Sequence, residues 1–484
     1  MESPENDRPE IVPPSMDVTA RRELSKMGTV LSAIVVLAVS LAGVWMSWSS
    51  HRLGLVANPA AALSLIVGRI MELRDAISGG SPWERQLYST LLVSTPRDVP
   101  IAIKWFEELV ASSDEATASV ELAILEAENG LTQKVADRVA AWNRLGGDFP
   151  AFAELIELAY LTTPDSGNRT NILDSTILEQ LEAGWFRDHL TARLVTMLGN
   201  AALPVGDQGP RVSLTLVRIF VGATLLIVIT GLLSMASILA RLRSDSTHVT
   251  LGKILIPPAW HTSTAFAVAL RCAAVFLLLG IGVGFLTPAL MIGEPLILTT
   301  VYAVGIAVLF SLYRKCLLTN LDETVAEAFG LTVSVSRVVP WVAVLAGATT
   351  LGDLAILWLG DLLGVAVHWT EWFLEDLVWG NYLELGLLLF ALIVLGPIFE
   401  ELLFRGLIFA TLRQRFSFGV AAATSAALFS TVHGYGIAGT CALLWGGFLA
   451  AWSVEKTKSL LPAIIAHGVN NLLMALGLIL FLRV

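Results

Sequence analysis

Long apolar runs separated by short polar turns make up most of this chain. About 20 helical residues span the roughly 30 Å hydrocarbon layer of a bilayer, so a run of that length predicts a transmembrane helix. Such runs predict about nine crossings, at residues 27–48, 214–239, 271–292, 296–312, 338–359, 382–416, 418–434, 438–453 and 460–481. The expected fold is therefore all-α, a polytopic membrane helical bundle.

Residues 51–211, between the first two crossings, follow a different pattern. Apolar residues recur there at three- and four-residue intervals, as in IAIKWFEELV and AFAELIELAYL, which predicts amphipathic helices. Glycine and proline clusters such as Gly79-Gly80-Ser81-Pro82 divide these helices. The sequence has no consistent repeat near 34 residues, so we expect an irregular inserted helical domain rather than a helical-repeat array.

Basic residues predict the orientation in the membrane. Arg21, Arg22 and Lys26 precede the first crossing, which places the N-terminus in the cytoplasm and residues 51–211 on the extracytoplasmic side. Basic turns after the second, fourth, sixth and eighth crossings agree with this topology. A cleaved signal peptide is the alternative, but the first run is long and ends in WMSWSSHR rather than in a small-residue cleavage site.

Composition supports a membrane protein and excludes other classes. Apolar residues make up 55% of the 484-residue chain, and the mean hydropathy is +0.71. The net charge of −10 argues against nucleic acid as a partner and leaves membrane lipid as the expected surroundings. The three cysteines are widely spaced in or beside apolar segments, which predicts free thiols without a disulfide or cysteine-metal site. We expect an integral protein of a bacterial inner or plasma membrane.

The chain divides into five predicted parts. They are a disordered cytoplasmic tail (1–26), the first transmembrane helix (27–48), the extracytoplasmic domain (51–211), crossings two to four with cytoplasmic interfacial segments (214–335), and a membrane core (336–484). Residues 244–269 are too interrupted to cross the bilayer and are predicted to lie at the interface. Gly396-Pro397 is predicted to kink the sixth crossing and to free a backbone carbonyl near Glu400.

Polar side chains in the last crossings are the candidates for function. An ionisable group inside the bilayer is expensive and is a functional candidate by default. The candidates are Glu400, Glu401, Arg405, His433, His467 and Asn471. Glu400 and His433 each lie about 16 residues from the turn at Phe416-Ser417, so both are expected roughly 24 Å from it. His467 and Asn471 are four residues apart and share one helix face.

The spacing of these residues suggests roles for them. Glu401 and Arg405 have the i, i+4 spacing of a helical ion pair, whereas Glu400 has no partner nearby in the sequence. A carboxylate beside a histidine can activate water, and a second histidine with an amide can hydrogen-bond the oxyanion that forms when water attacks a carbonyl.

At these residues the sequence resembles the CPBP family of intramembrane proteases, named for CAAX protease and bacteriocin processing. The family pattern EExxxR, FxxxH and HxxxN is present in order, at residues 400–405, 429–433 and 467–471. The resemblance covers about the last third of the chain and does not extend to residues 1–211.

The resemblance implies an endopeptidase that cleaves a membrane-associated protein or peptide, either a CAAX-type substrate or a precursor. It implies that Glu400 and His433 activate water and that His467 and Asn471 hold the oxyanion. Glu401, Arg405 and Phe429 would support the site.

Metal dependence stays open at the level of sequence. Glu400, His433 and His467 could hold Zn²⁺ with an open position for water. Their spacing is not that of HExxH, and asparagine is a poor zinc ligand, so we expect a site that works without a metal or other cofactor.

Two other functional classes are weighed against the protease. A non-catalytic scaffold or bacteriocin-immunity protein could retain the motifs, although a degenerating site should have lost at least one of them. A transporter could use the buried glutamate and histidine as a proton relay, but the crossings show no internal repeat.

Overall fold

A computed structural model describes residues 25–48, 50–92, 98–113, 115–162, 175–198, 212–244, 250–290, 293–319 and 324–483. These residues form helices and turns with no β-strand among them. The predicted tail lies outside the described residues apart from its last two positions. The all-α fold is confirmed.

The helices are numbered here in chain order. They are α1 Lys26–Trp48, α2 Pro59–Ser78, α3 Pro82–Leu91, α4 Asp98–Ser112, α5 Ala116–Glu128, α6 Thr132–Trp142, α7 Phe149–Ile156, α8 Ser175–Glu179, α9 Trp185–Leu198, α10 Leu214–Ser244, α11 Thr262–Leu290, α12 Glu294–Leu312, α13 Val325–Ala328, α14 Val335–Leu363, α15 Glu375–Val378, α16 Tyr382–Leu412, α17 Phe418–Thr431, α18 Ile437–Thr457 and α19 Leu461–Leu482.

Eight described helices are long and apolar enough to cross a membrane: α1, α10, α11, α12, α14, α16, α18 and α19. The seventh predicted crossing is the apolar helix α17, which has 14 residues. At 1.5 Å per residue this helix is about 21 Å long, shorter than the hydrocarbon layer. His433 follows two residues after the end of this helix.

The third crossing begins earlier than the apolar pattern predicts. Helix α11 starts at Thr262, so the predicted interfacial segment at 244–269 ends there. Residues 250–261 are non-helical and contact the ends of α16 and α18. The Ile254 amide donates to the Lys458 carbonyl (3.1 Å), and the Trp260 indole donates to the Thr411 hydroxyl (3.0 Å).

Helices α2 to α9, here called the helical domain, lie in the stretch for which the sequence predicts amphipathic helices. Their buried face shares one continuous apolar core with the membrane helices, in which Phe106 and Leu122 belong to the domain and Trp369, Leu377 and Leu478 to the membrane core. The domain therefore packs directly on one end of the bundle rather than hanging from a linker.

Polar contacts also join the domain to the membrane core. Glu108 on α4 accepts from Arg52 (Nε, 2.8 Å) and lies 3.5 Å from Nε2 of His368, in the segment after α14. Burial acts to raise the pKa of Glu108, but the nearby His368 and Arg52 side chains outweigh it and lower that pKa to about 2. Glu375 accepts from the Ala57 amide (2.6 Å) at the same boundary.

The long helix α16 departs from α-geometry at two places. Residues Ala391–Leu395 and Leu402–Phe409 are π-helical, with hydrogen bonds that reach five residues back. The Gly396 amide bonds to the Ala391 carbonyl, and in this register the next donor, to Leu392, would come from Pro397. Proline has no N–H, so the Leu392 carbonyl lacks its helical partner, as the sequence predicts for this region.

One acidic side chain is buried in the helical domain. Glu121 on α5 is 4% exposed and accepts a hydrogen bond from the Ser64 hydroxyl. Burial raises the pKa of Glu121 to about 8, with a further contribution from the negative charge of Glu182, whereas the bond from Ser64 opposes the rise.

Glu121→Gln should stabilise the protein at pH 8 but not at pH 4. The folded protein holds a proton on Glu121 up to about pH 8, whereas the group titrates at 4.5 when unfolded. The protonated Glu121 side chain contributes fully to stability below pH 4.5. This contribution is lost as the pH rises towards 8, which lowers the free energy of unfolding by on the order of a few kcal/mol. Thermal unfolding of the purified protein in detergent, followed by tryptophan fluorescence, measures the effect.

Glu154→Gln, an exposed glutamate on α7, is the control. An identical pH dependence for the wild type and Glu121→Gln would contradict the assignment of this group.

Candidate active site

One imidazole lies between both glutamates of the EExxxR motif. His467 on α19 places Nε2 3.7 Å from Oε2 of Glu400 and Nδ1 3.0 Å from Oε1 of Glu401, both on α16. An ionised carboxylate can only accept, so Nδ1 donates to Glu401 and Nε2 faces Glu400. The contact joins two of the three motifs at one point.

Behind this histidine lies a buried ion pair. Arg405 places its Nη1 3.0 Å from Oε1 of Glu401, and each side chain is about 1% exposed. The guanidinium also lies over the Phe429 ring, 4.4 Å from its centroid. A β-carbon at Gly447 would come within 2.8 Å of Arg405 Nη2, so the glycine on α18 makes room for it. Phe429 thus packs under the ion pair as the second motif's aromatic residue.

His433 lies beyond the end of α17 and faces the same aromatic ring. Its Nδ1 is 2.7 Å from the Phe429 carbonyl, which can only accept, so Nε2 is the nitrogen left for other chemistry. The Phe429 ring lies 4.7 Å from the His433 ring and 6.0 Å from the His467 ring, between the two histidines. Across the described residues, no direct hydrogen bond joins His433 to Glu400.

From the sequence we expect Glu400 to pair with His433, but in the structure Glu400 faces His467 instead. The π-helical segment Leu402–Phe409 lies between Glu400 and the turn that follows α16. Its wider turns break the 100° per residue spacing on which a simple helical count depends.

Asn471 ties α19 to α16. Its side-chain amide donates to the Leu392 carbonyl at 2.8 Å, the carbonyl that Pro397 leaves without a helical donor. The two helices can approach closely enough for this bond because residue 468 is a glycine. A β-carbon at Gly468 would lie 2.5 Å from the Ile393 carbonyl oxygen. One of the two side-chain amide hydrogens makes this bond, and the second could donate a hydrogen bond to an oxyanion.

A residue outside the motifs also reaches the site. The Tyr302 hydroxyl, on α12, donates to Oε1 of Glu400 at 3.0 Å. The sequence shows it only as a tyrosine inside the apolar run 296–312. The signal that could have found it is the need of a hydroxyl inside a bilayer for a polar partner.

The loop that carries His433 is hydrogen-bonded to Glu371, in the segment between α14 and α15. Glu371 accepts from the Gly436 amide (3.0 Å) with one oxygen and from the His368 amide (3.1 Å) with the other. His368 in turn faces Glu108 of the helical domain. The loop therefore lies on the same side of the bundle as that domain.

Comparison with known families agrees with the motifs. Residues 382–473 match the family described as type II CAAX prenyl endopeptidase Rce1-like, from the first residue of α16 to two residues beyond Asn471. These residues form a CAAX-endopeptidase domain. No curated protein and no solved structure gives a significant match to the chain.

The CAAX-endopeptidase domain contains every motif residue but not the whole site. Tyr302, Glu371 and the helical domain all lie outside residues 382–473. The family match therefore says nothing about them, and their roles rest on the contacts described above.

The geometry bears on the candidate zinc ligands. Of Glu400, His433 and His467, only Glu400 and His467 approach each other directly. In the part of the chain that the structure describes, no group of three or more histidine, cysteine, aspartate or glutamate side chains is placed to hold one metal ion.

Breaking the buried ion pair of the CAAX-endopeptidase domain should destabilise it strongly. Arg405→Met leaves the carboxylate of Glu401 buried without its main counter-charge, and Glu401→Gln does the converse. Each should cost roughly 3–5 kcal/mol, whereas the double variant should cost less than the sum of the two. Thermal unfolding in detergent measures the losses.

The matched control is Arg413→Met with Glu455→Gln. Arg413, just after α16, and Glu455 on α18 lie 3.1 Å apart and are about 20% exposed, so the loss of this pair should cost less than about 1 kcal/mol. Strict additivity of the Glu401 and Arg405 effects would show that the two side chains are not coupled.

Proposed function

We propose that this protein is an intramembrane endopeptidase that hydrolyses a peptide bond of a membrane-associated protein or peptide. The observation that supports it most is the placement of His467 between Glu400 and Glu401, inside an apolar bundle and within the matched CAAX-endopeptidase segment. The match to that family supports a peptidase, and the catalytic details are our proposal.

The charges of the cluster suit proton transfer. Glu401 and Arg405 form an ion pair in which the two charges cancel. Glu400 and His467 are then left as a carboxyl and an imidazole that together become neutral overall when they share one proton. A low-dielectric interior favours such a neutral arrangement. When His467 Nε2 carries the proton, the Glu400 carboxylate can accept another from water.

The proposed reaction begins with Glu400 as the general base. Glu400 accepts a proton from water held near His433 Nε2, and the resulting hydroxide adds to the scissile carbonyl carbon. The oxyanion accepts hydrogen bonds from His467 Nε2–H and the second amide hydrogen of Asn471. The tetrahedral intermediate collapses with cleavage of the C–N bond, and Glu400 returns its proton to the leaving nitrogen. Water is consumed, and a carboxylic acid and an amine are formed.

Substrate and setting are proposed from the topology. The substrate is a protein or peptide presented at the membrane, of CAAX type or a precursor. The basic turns support a cytoplasmic N-terminus and an extracytoplasmic helical domain. The proposed location is a bacterial inner or plasma membrane.

Glu400→Gln should abolish cleavage, by at least about 100-fold, because glutamine cannot accept the proton from water. Mass spectrometry of membrane-protein termini, compared between cells with the wild type and with Glu400→Gln, detects the loss for any substrate in the membrane. Glu384→Gln, at the start of the same helix, is the control and should retain cleavage. Equal sets of termini for wild type and Glu400→Gln, with full rescue of a deletion phenotype, would reject the protease and favour a scaffold.

Cleavage should persist after treatment with a metal chelator. The proposed steps use only side-chain groups of this chain, and Zn²⁺ held by Glu400, His433 and His467 is the alternative. Repeating the comparison of membrane-protein termini with the chelator and then with added Zn²⁺ measures whether cleavage depends on a metal. If cleavage is lost with the chelator and recovers with zinc, a metal-bound water rather than Glu400 as general base carries the reaction.

A further inference from the structure

We infer that Tyr302 is a positioning residue that fixes the general base of the site. This inference rests on the proposed function, since it assigns Glu400 that role. Tyr302 lies on α12, outside the segment that matches the CAAX-endopeptidase family, so no motif includes it.

The two oxygens of Glu400 have different neighbours. Oε1 accepts from the Tyr302 hydroxyl at 3.0 Å, and Oε2 is the oxygen that faces His467 at 3.7 Å. The terminal torsion of glutamate is broad, so an unrestrained carboxylate would sample many orientations. The bond to Tyr302 holds one oxygen and thereby aims the other at the imidazole and at the place where water must react.

The tyrosine itself is held rigidly. Its ring lies 5.0 Å from the Phe276 ring and 6.1 Å from the Phe399 ring, and these two phenylalanines stack on each other at 4.6 Å. A β-carbon at Gly396 would lie 3.4 Å from the hydroxyl oxygen, so the tip of the tyrosine rests on α16 itself. A hydroxyl on such a frame can orient a carboxylate, whereas a mobile one could not.

A second tyrosine provides a matched comparison. Tyr313, three helical turns after Tyr302, also donates to α16, but its hydroxyl bonds to the Leu402 carbonyl at 2.8 Å. It is fully buried and packs against Phe329. Tyr313→Phe therefore removes a buried bond to the same helix without touching Glu400.

The experiment compares Tyr302→Phe, Tyr313→Phe and Glu400→Gln as full-length proteins in detergent. The probe is an internally quenched fluorescent peptide that ends in a farnesylated CAAX sequence. Tyr302→Phe should lower kcat roughly 10- to 100-fold with KM changed less than about twofold, because it misorients the base without removing a substrate contact. Tyr313→Phe should keep kcat within about threefold of the wild type, and melting temperatures should show that both variants are folded.

The outcomes separate this inference from the proposed function. If Glu400→Gln is inactive and Tyr302→Phe equals the wild type in kcat, Tyr302 is only a packing residue and the inference is wrong. An equal fall in kcat for Tyr302→Phe and Tyr313→Phe would also overturn it, because the effect would then come from helix packing. Full activity of Glu400→Gln would instead refute the proposed base.

Discussion

The cost of charge inside a bilayer is the constraint on which this structure depends. Arg405 cannot lie uncompensated at 1% exposure, and Glu401 supplies its counter-charge one helical turn away. His467 then bonds to the same carboxylate and is held in place by it. The ion pair therefore orients the imidazole that faces Glu400, and stability and chemistry use the same carboxylate.

Irregular backbone allows the rest of the site to form. Pro397 leaves the Leu392 carbonyl without a helical donor, and Asn471 supplies one from another helix. An unsatisfied carbonyl is costly in an apolar environment, so this bond fixes the position of α19 against α16. The short helix α17 has a related effect, since it ends two residues before His433 and places the Phe429 ring between the rings of His433 and His467.

The helical domain is a part of the same folded unit. It shares an apolar core with the membrane helices, and Glu108 pairs with His368 across the boundary. From His368 the backbone leads to Glu371, which holds the Gly436 amide in the loop of His433. A continuous set of contacts thus runs from the domain to one edge of the candidate site.

The sequence by itself determined the helical class, the positions of the apolar runs and the six polar residues of the motifs, because hydropathy and spacing are local properties. Glu401 and Arg405 pair as their i, i+4 spacing predicts, since one helix fixes both ends of that contact. Contacts between helices were different. Tertiary structure decided that Glu400 meets His467 and Tyr302, that Asn471 bonds to Leu392, and that the domain packs on the bundle. Rotation and depth of one helix against another depend on packing and on π-helical turns, which a count of residues does not contain.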